Sequence, residues 1–490
     1  MIFVQIYTRF WLVYLAVNND NNTCVDQHMA MLGGTTVEVR VLAPSGVIGA
    51  GFKASSLARG VALKPHVIAC DAGSTDSGPA ALGSGKAKLS RDACKRDLRL
   101  LLLARAELDV PLIIGSCGTS GRDAGVDWMA DIALEIADED GLNFKLALIY
   151  ADQPDDYLKQ RLQEGRIQPL QPAPEINEQV IDSSHIVGMM GTEPLSDALD
   201  GGAQVILAGR ASDSALYAVV PERMGAHRGL IWHAAKTIEC GAACCVTPAA
   251  DGLMAYIRDD HFEIEPLDLE ARVTPLSVAA HTLYENSNPF LLTEPSGVVD
   301  TEHAVYTATS DRSVKVSGSA FHPAEVYTIK LEGAQLVGFQ TVVVGGIRDP
   351  KVFMALDKLL PKAALYFQAR IADLFGSQLS TADYDINFRI YGRGTVMGEL
   401  EVDTSTIPTE VGVLITITAP TQDFASKIAK MVSHVSAHLP VPGYEGLIST
   451  IAYPFSPPEM ERGPTYRFSV NHVVQPSDPL EMFRTKYIEV

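Results

Sequence analysis

Basic residues are scarce in this chain: 39 Lys and Arg stand against 59 Asp and Glu, for a formal net charge of −20. Nucleic acid and anionic membrane attract proteins through clustered Lys and Arg that displace counterions, so this balance argues against both as partners. A small anionic ligand stays open, provided the arginines gather locally. No CxxC pair and no HExxH occur, so a structural zinc is not expected. The P-loop spacing of two glycines, Lys and Ser/Thr is missing, as is a serine centred between glycines two residues apart. Cysteines number seven, at positions 24, 70, 94, 117, 240, 244 and 245. An odd count embedded in apolar text reads as reduced thiols in a cytoplasmic protein rather than a disulfide framework.

Long hydrophobic runs are also absent. The apolar stretch Phe10–Val17 follows Arg9 and has the outline of a secretory signal, yet eight residues do not span a bilayer. The polar text after it offers no small-residue cleavage site. The favoured expectation is an upstream extension covering residues 1–35, with Met29 or Met31 as an internal start and the organised fold beginning near Thr36. With 490 residues, 47% hydrophobic and 20% charged, the remainder suffices for two or three domains with large cores.

The stretch that organises the chain is Val110–Asp131, VPLIIGSCGTSGRDAGVDWMAD. An apolar run breaks into four glycines, Gly115, Gly118, Gly121 and Gly125, and then enters a helix, as when a parallel strand delivers a backbone-lined pocket to a helix start. Around it strand and helix alternate. TVEVRVLAP leads into SGVIGAGF, HVIACDAG into STDSGPAALGSG, and a helix from Ser90 precedes PLIIG. KLALIYAD, a helix closed by Gly165, a proline-rich connector and a strand at Ala203–Ala208 follow. This grammar predicts an α/β fold with a parallel, doubly wound sheet, whose ligands lie beyond the carboxyl ends of the strands.

From about Leu253 strands and loops dominate. Period-two alternation in VYTIKLEGAQLVGF suggests a hairpin turning at Glu332-Gly333. The last third reads helix, strand, strand, helix, strand, with a kink expected at Pro361 and a final strand at GLISTIAYP, an order that fits a ferredoxin-like α+β layer. The tail past Pro454 is expected as extended chain or an assembly element.

Taken together, VRVLAPSGVIGAGF, CDAGSTDSGP, IIGSCGTSGRDAG, ILAGRASDSA and YTIKLEGAQLVGFQTVVVGGIRDP resemble the acyclic terpene utilisation AtuA family, in matching order over roughly residues 36 to 455. The resemblance implies an N-terminal AtuA-type α/β domain and a C-terminal ferredoxin-fold domain. It also implies catabolism of branched acyl-CoA esters or carboxylic acids. The expected layout is thus a leader at 1–35, an α/β domain at 36–252 completed by a mixed β region at 253–350, and a ferredoxin-like domain with an extended tail at 351–490.

Catalytic candidates are Asp71, Asp76 and Cys117. The two aspartates are suited to moving a proton, or to holding a hard divalent cation, or merely to forming an Asx turn and capping a helix. Cys117 is a thiolate nucleophile near a helix start or a small hydrophobe. Candidate substrate-binding residues are Ser45, Gly46, Ser74, Gly115, Ser116, Gly118, Thr119, Ser120, Arg122, Asp123, Arg210 and Asp213. Among them, Arg122 and Arg210 are suited to bidentate grip of a carboxylate, and amides of Gly115–Gly121 to stabilising enolate charge. His233 and Cys240 share a helical face that excludes Glu239, so the three do not form one metal cluster and packing is the better reading for the His and Cys. Two classes of function result. One is a lyase or hydratase acting on a small carboxylic acid or acyl-CoA, with a Cys117 acyltransferase as its variant. The other is a non-catalytic binding or assembly subunit. A homo-oligomer is expected in either case.

Overall fold

The computed structural model describes residues 38–283, 288–403, 405–441, 443, 445 and 450–490. The leader at 1–35, with Met29 and Met31, lies outside these residues, as does 446–449 of the strand expected at GLISTIAYP; its described remainder, 450–454, is not a strand and makes only an isolated bridge from Ala452 to Gly346. The chain divides into two compact units: one runs to Ala334 and resumes at Phe468–Val490, and the other is Gln335–Arg467.

The first unit carries β1 (Val39–Ala43), β2 (Val67–Asp71), β3 (Leu112–Gly115), β4 (Lys145–Tyr150), β5 (Ile167–Pro169), β6 (Ser184–Met189), β7 (Val205–Ala208), β8 (Leu253–Ile257) and β9 (His261–Pro266). Its large sheet is mixed. The strands β1, β2, β3, β7 and β4 lie side by side in parallel. Antiparallel strands extend both edges. On one side stand β8, β9, Val314–Ser317 and Val305–Ala308, and on the other Arg484–Glu489, drawn from the expected tail, pairs with β4.

The parallel strands are apolar at nearly every position because both of their faces are covered. Side chains alternate across a strand, so each strand feeds two cores. Val41, Ala69, Ile113, Ile149 and Ile206 enter one core, roofed by the helices Thr192–Asp200, Asp213–Arg223 and Arg228–Ile238. Leu42, Ile68, Ile114, Leu148 and Leu207 enter the other, under Arg91–Leu108 and Asp123–Asp140. Ser90 starts the first of these two helices by accepting the Ala93 amide at 3.3 Å, and Gly141 closes the second at φ 64°. The helix Arg228–Ile238 stops before Cys240, and a 3-10 turn occupies Gly241–Cys244.

The second unit is entered along the strand Ile329–Ile347 and left along Glu459–Val474. Between them come the helix Pro350–Phe375, the strands Asp385–Tyr391 and Val411–Ala419, and the helix Gln422–Ala437. The sheet order is Asp385–Tyr391, Val411–Ala419, Ile329–Ile347, Glu459–Val474. Val343, Ile415 and Ile417 pack there against Phe353, Phe367 and Ile428. The first helix continues through Pro361 as one element.

The hairpin expected at Glu332-Gly333 does not form: Ile329–Ile347 is a single strand of 19 residues. Gly333 serves close packing instead of a turn, since a Cβ there would lie 2.7 Å from Val470 and 3.1 Å from Ile186.

Candidate active site

Four loops leave the carboxyl ends of β1, β2, β3 and β7 and meet at one edge of the sheet, as parallel geometry requires. They surround a cavity of about 390 Å³ lined by Gly46 and Val47, Asp71–Ser74, Asp76, Ser77, Lys88, Leu89, Thr119, Asp213, Glu239 and Cys240. Every one of these residues belongs to the first unit. Glycine brings the walls together. A Cβ on Gly73 would stand 2.4 Å from the Thr119 Cα, one on Gly46 2.7 Å from the Cys240 carbonyl oxygen, and one on Gly118 2.4 Å from the Gly125 Cα. Thr119 itself holds φ at 80°, a strained value for a β-branched residue, and its Oγ1 accepts the Lys88 amide at 3.0 Å.

Asp71 ends β2 and is 5% exposed. Its Oδ2 accepts the Gly73 amide at 3.0 Å, while its Oδ1 has no hydrogen-bond partner among the described residues. Burial pushes this carboxyl well above the usual carboxylate range, and the negative charge of Asp213 adds to the shift. Asp213 opens the helix Asp213–Arg223 and is raised by burial against the opposing pull of Arg210 and Lys236. Asp76 is exposed and holds Ser74 Oγ at 2.7 Å.

Two further carboxyls stand beside this pair, Glu239 buried and Glu294 half-buried. Glu239 accepts Ser214 Oγ at 2.6 Å and also binds Lys236 Nζ. Burial raises it to about 7, with Lys236 opposing and Asp213 assisting. Glu294 accepts Ser212 Oγ at 2.5 Å and is raised by burial to about 8. Glu332 behaves oppositely. Burial works against its charge, but Arg210 at 2.7 Å and Lys330 at 2.8 Å hold it down at about 2.

Most of the other candidates are engaged by partners within the protein or buried in its core. Arg210 is buried and engaged, with Nε on Glu332 and Nη1 on Ser116 Oγ at 3.2 Å, the Ala211 carbonyl at 3.0 Å and Asp213 at 3.2 Å. Arg122 pairs with Asp152 at 3.0 Å, not with Asp123. Asp123 instead accepts the Ala151 and Asp152 amides and binds Arg484. The amides of Ser116 and Cys117 are used by the Gly209 and Ala208 carbonyls at 2.9 and 3.0 Å. Cys117 is fully buried among Ile114, Val126 and Leu148, and burial pushes its thiol well up, so it lacks the electropositive, accessible setting of a nucleophile. Ser45 is buried with Oγ on the Val47 carbonyl at 3.3 Å, and Ser120 is buried behind the loop. Gly115 lies against Leu216, where a Cβ would come within 2.5 Å. His233 is a core residue, bonded to Ser319 Oγ at 2.7 Å and set edge-on to Phe262 and Tyr306. Arg348 bonds the Thr409 carbonyl within the second unit.

Reading the sequence missed Lys88, Lys236, Glu294 and Glu332, and considered Glu239 only as a metal ligand. Glu332 carries a faint signal: it interrupts an apolar alternation two residues after Lys330, placing both on one strand face. Among the described residues no group of three or more His, Cys, Asp or Glu is arranged to hold a metal ion, none of the six cysteines forms a disulfide, and no helix is long and apolar enough to cross a membrane.

Residues 115–221 match the family model described as acyclic terpene utilisation family protein AtuA. No curated protein and no solved structure matches the chain. The matched segment runs from the last residue of β3 through the Gly-rich loop, β7, Arg210 and Asp213 into the helix that roofs the site, so the likeness to the AtuA family covers the heart of the candidate site.

Proposed function

We propose that this protein is a catabolic enzyme, in keeping with the terpene-utilisation context of its family, that moves a proton next to the carbonyl of a small carboxylic acid or acyl-CoA ester in a lyase or hydratase reaction. The observation that carries this reading is Asp71: a buried carboxyl in the wall of a cavity at the strand ends, with one oxygen unsatisfied and a second carboxyl, Asp213, adding to its raised pKa. A base is most effective when its pKa approaches the working pH, and this environment moves Asp71 in that direction.

In the elimination direction Asp71, as carboxylate, takes the proton from the carbon beside the carbonyl, and the electron pair moves onto the carbonyl oxygen. That pair returns to form the carbon–carbon double bond as the bond from the next carbon to its hydroxyl breaks, and Glu239, at about 7 and so partly protonated near neutrality, gives its proton to the departing hydroxyl, which leaves as water. Hydration is the reverse. Arg210 takes no part in substrate contact. It holds Asp213 and Glu332 in place behind the cavity. The second unit has the order strand, helix, strand, strand, helix, strand, which supports reading it as a ferredoxin-like domain. The parallel strands covered on both faces support the doubly wound reading of the first.

The test begins with a thermal-shift panel of carboxylic acids and CoA esters, since a ligand of the native state raises its apparent stability. With a turned-over compound in hand, Asp71→Asn keeps the shape of the residue and removes the base, and turnover is expected to fall about 100-fold or more. Full turnover in that variant ends the proton-transfer reading.

A further inference from the structure

The cavity is acidic, with Asp71, Asp76, Asp213 and Glu239 in its walls, yet the proposed ligand carries negative charge. What decides whether it can be held is which cations have a charge to offer. Arg210 is engaged by Glu332 and Asp213, Lys330 by Glu332, Lys236 by Glu239, and Arg122 by Asp152. Lys88 alone among the cationic residues lines the cavity, and among the described residues its ammonium forms no ion pair. Its position is built: the Lys88 amide is tied to Thr119 Oγ1 on the opposite loop, so the main chain from which the ammonium reaches is fixed to the cavity wall.

We propose that Lys88 is the anion anchor of this cavity, and that the ligand is a short-chain hydroxycarboxylate whose carboxylate meets the Lys88 ammonium while its hydroxyl-bearing end lies against the carboxyls of Asp71 and Glu239. The inference rests on the cavity being the substrate site of the reading above and adds the substrate class and its anchor. Size agrees. At about 390 Å³ the space falls at the low end of ligand pockets, suited to a small acid or to the acyl end of a larger ester. Charge agrees as well: the carboxyls of Asp71 and Glu239 at the inner wall can hydrogen-bond a hydroxyl, and Lys88, the one cationic residue lining the cavity, receives the carboxylate. Lys86, two residues away, is exposed but does not line the cavity, so it serves as the control for a diffuse positive rim.

The experiment is calorimetric titration of the full-length protein at low salt with 3-hydroxybutyrate, butyrate and butylamine. The expected order is 3-hydroxybutyrate tightest, butyrate weaker, and butylamine without heat. Lys88→Gln should weaken 3-hydroxybutyrate about tenfold or more, Lys88→Arg should restore most of that loss, and Lys86→Gln should leave binding unchanged. Added salt should weaken the wild-type interaction and have less effect on Lys88→Gln, because the lost term is electrostatic and solvent-accessible. Equal affinity in wild type and Lys88→Gln, equal losses at Lys86 and Lys88, or no carboxylate binding to the wild type would each overturn the anchor. The proton-transfer reading stands or falls separately, on the turnover of Asp71→Asn: lost turnover with unchanged binding in Lys88→Gln removes the anchor alone, and weakened binding in Lys88→Gln with full turnover in Asp71→Asn removes the chemistry alone.

Discussion

At the scale of single residues, the site is governed by how each carboxyl is partnered. Asp71 and Glu332 are equally buried, but one has an oxygen without a partner and the other faces two cations. Their pKa values therefore move in opposite directions. Breaking a buried pair leaves an uncompensated charge, so Arg210→Met should destabilise the fold by about 3–5 kcal/mol, with Glu332→Gln less severe because Lys330 loses only one of its surroundings. Denaturant unfolding checks this, and a midpoint unchanged in Arg210→Met would show that the pair is not formed. Sequence text pointed to Asp71, Asp213 and Arg210 because each directly follows an apolar strand. It did not reveal the partner of Arg210, since a guanidinium beyond a strand end looks the same in sequence whether its partner is a ligand or a glutamate 122 positions away.

At the scale of elements, the cavity depends on backbone approaching backbone. The Gly-rich loop folds back on the first turn of its own helix, with Gly125 so close to Cys117 that a Cβ would stand 2.3 Å from the Cys117 carbonyl oxygen. Neither neighbour is a flexible side chain that could yield. Gly125→Ala is therefore expected to cost about 1–3 kcal/mol by overpacking and to weaken ligand binding as Thr119 shifts. A melting temperature equal to wild type would refute that account. The alternation of strand and helix was legible because the strands are continuous apolar runs bounded by glycine, and because helix starts such as Ser90 carry their cap in the sequence. The hairpin expected at Glu332-Gly333 was not, because a glycine demanded by packing against Val470 is indistinguishable in sequence from one demanded by a turn.

At the scale of the whole molecule, two expectations follow. The first concerns pH. Glu239 and Glu294 keep protons in the folded state that the unfolded chain releases above its carboxylate range near 4.5, so their contribution to stability is complete below that range and is lost as pH rises through about 7 and about 8. Glu332 works in reverse: its contribution is present above about 4.5 and lost as pH falls toward about 2. Unfolding free energies should thus decline between about pH 4.5 and about pH 8 and level off above it, and Glu294→Gln should flatten that decline. An unaltered slope in the variant would count against a protonated Glu294. The second concerns the two units. All cavity-lining residues lie in the first, and the ends of the second are held side by side by Arg467 on Gln335 at 2.9 Å. Replacing Gln335–Arg467 by a short Gly/Ser linker should leave a folded protein that still binds the hydroxycarboxylate, which titration of the purified variant would show. Loss of binding in a folded product would mean that the second unit contributes to the site.

The sequence by itself determined the parallel strands, the helices between them, and the four loops that meet at one edge of the sheet, because all of these follow from apolar periodicity and from glycine at strand ends, which are local properties of the chain. It also carried enough of the pattern between residues 115 and 221 to match the AtuA family model. Only the tertiary structure decided which charges neutralise one another. Arg210 meets Glu332 from a strand 122 positions away and Glu239 accepts from Ser214 on another helix, and the sign and size of a buried charge's effect depend on its nearest neighbours in space. The same limit applies to Cys117, a reactive-looking thiol in a glycine loop that becomes an inert core residue once the sheet and its covering helix close over it.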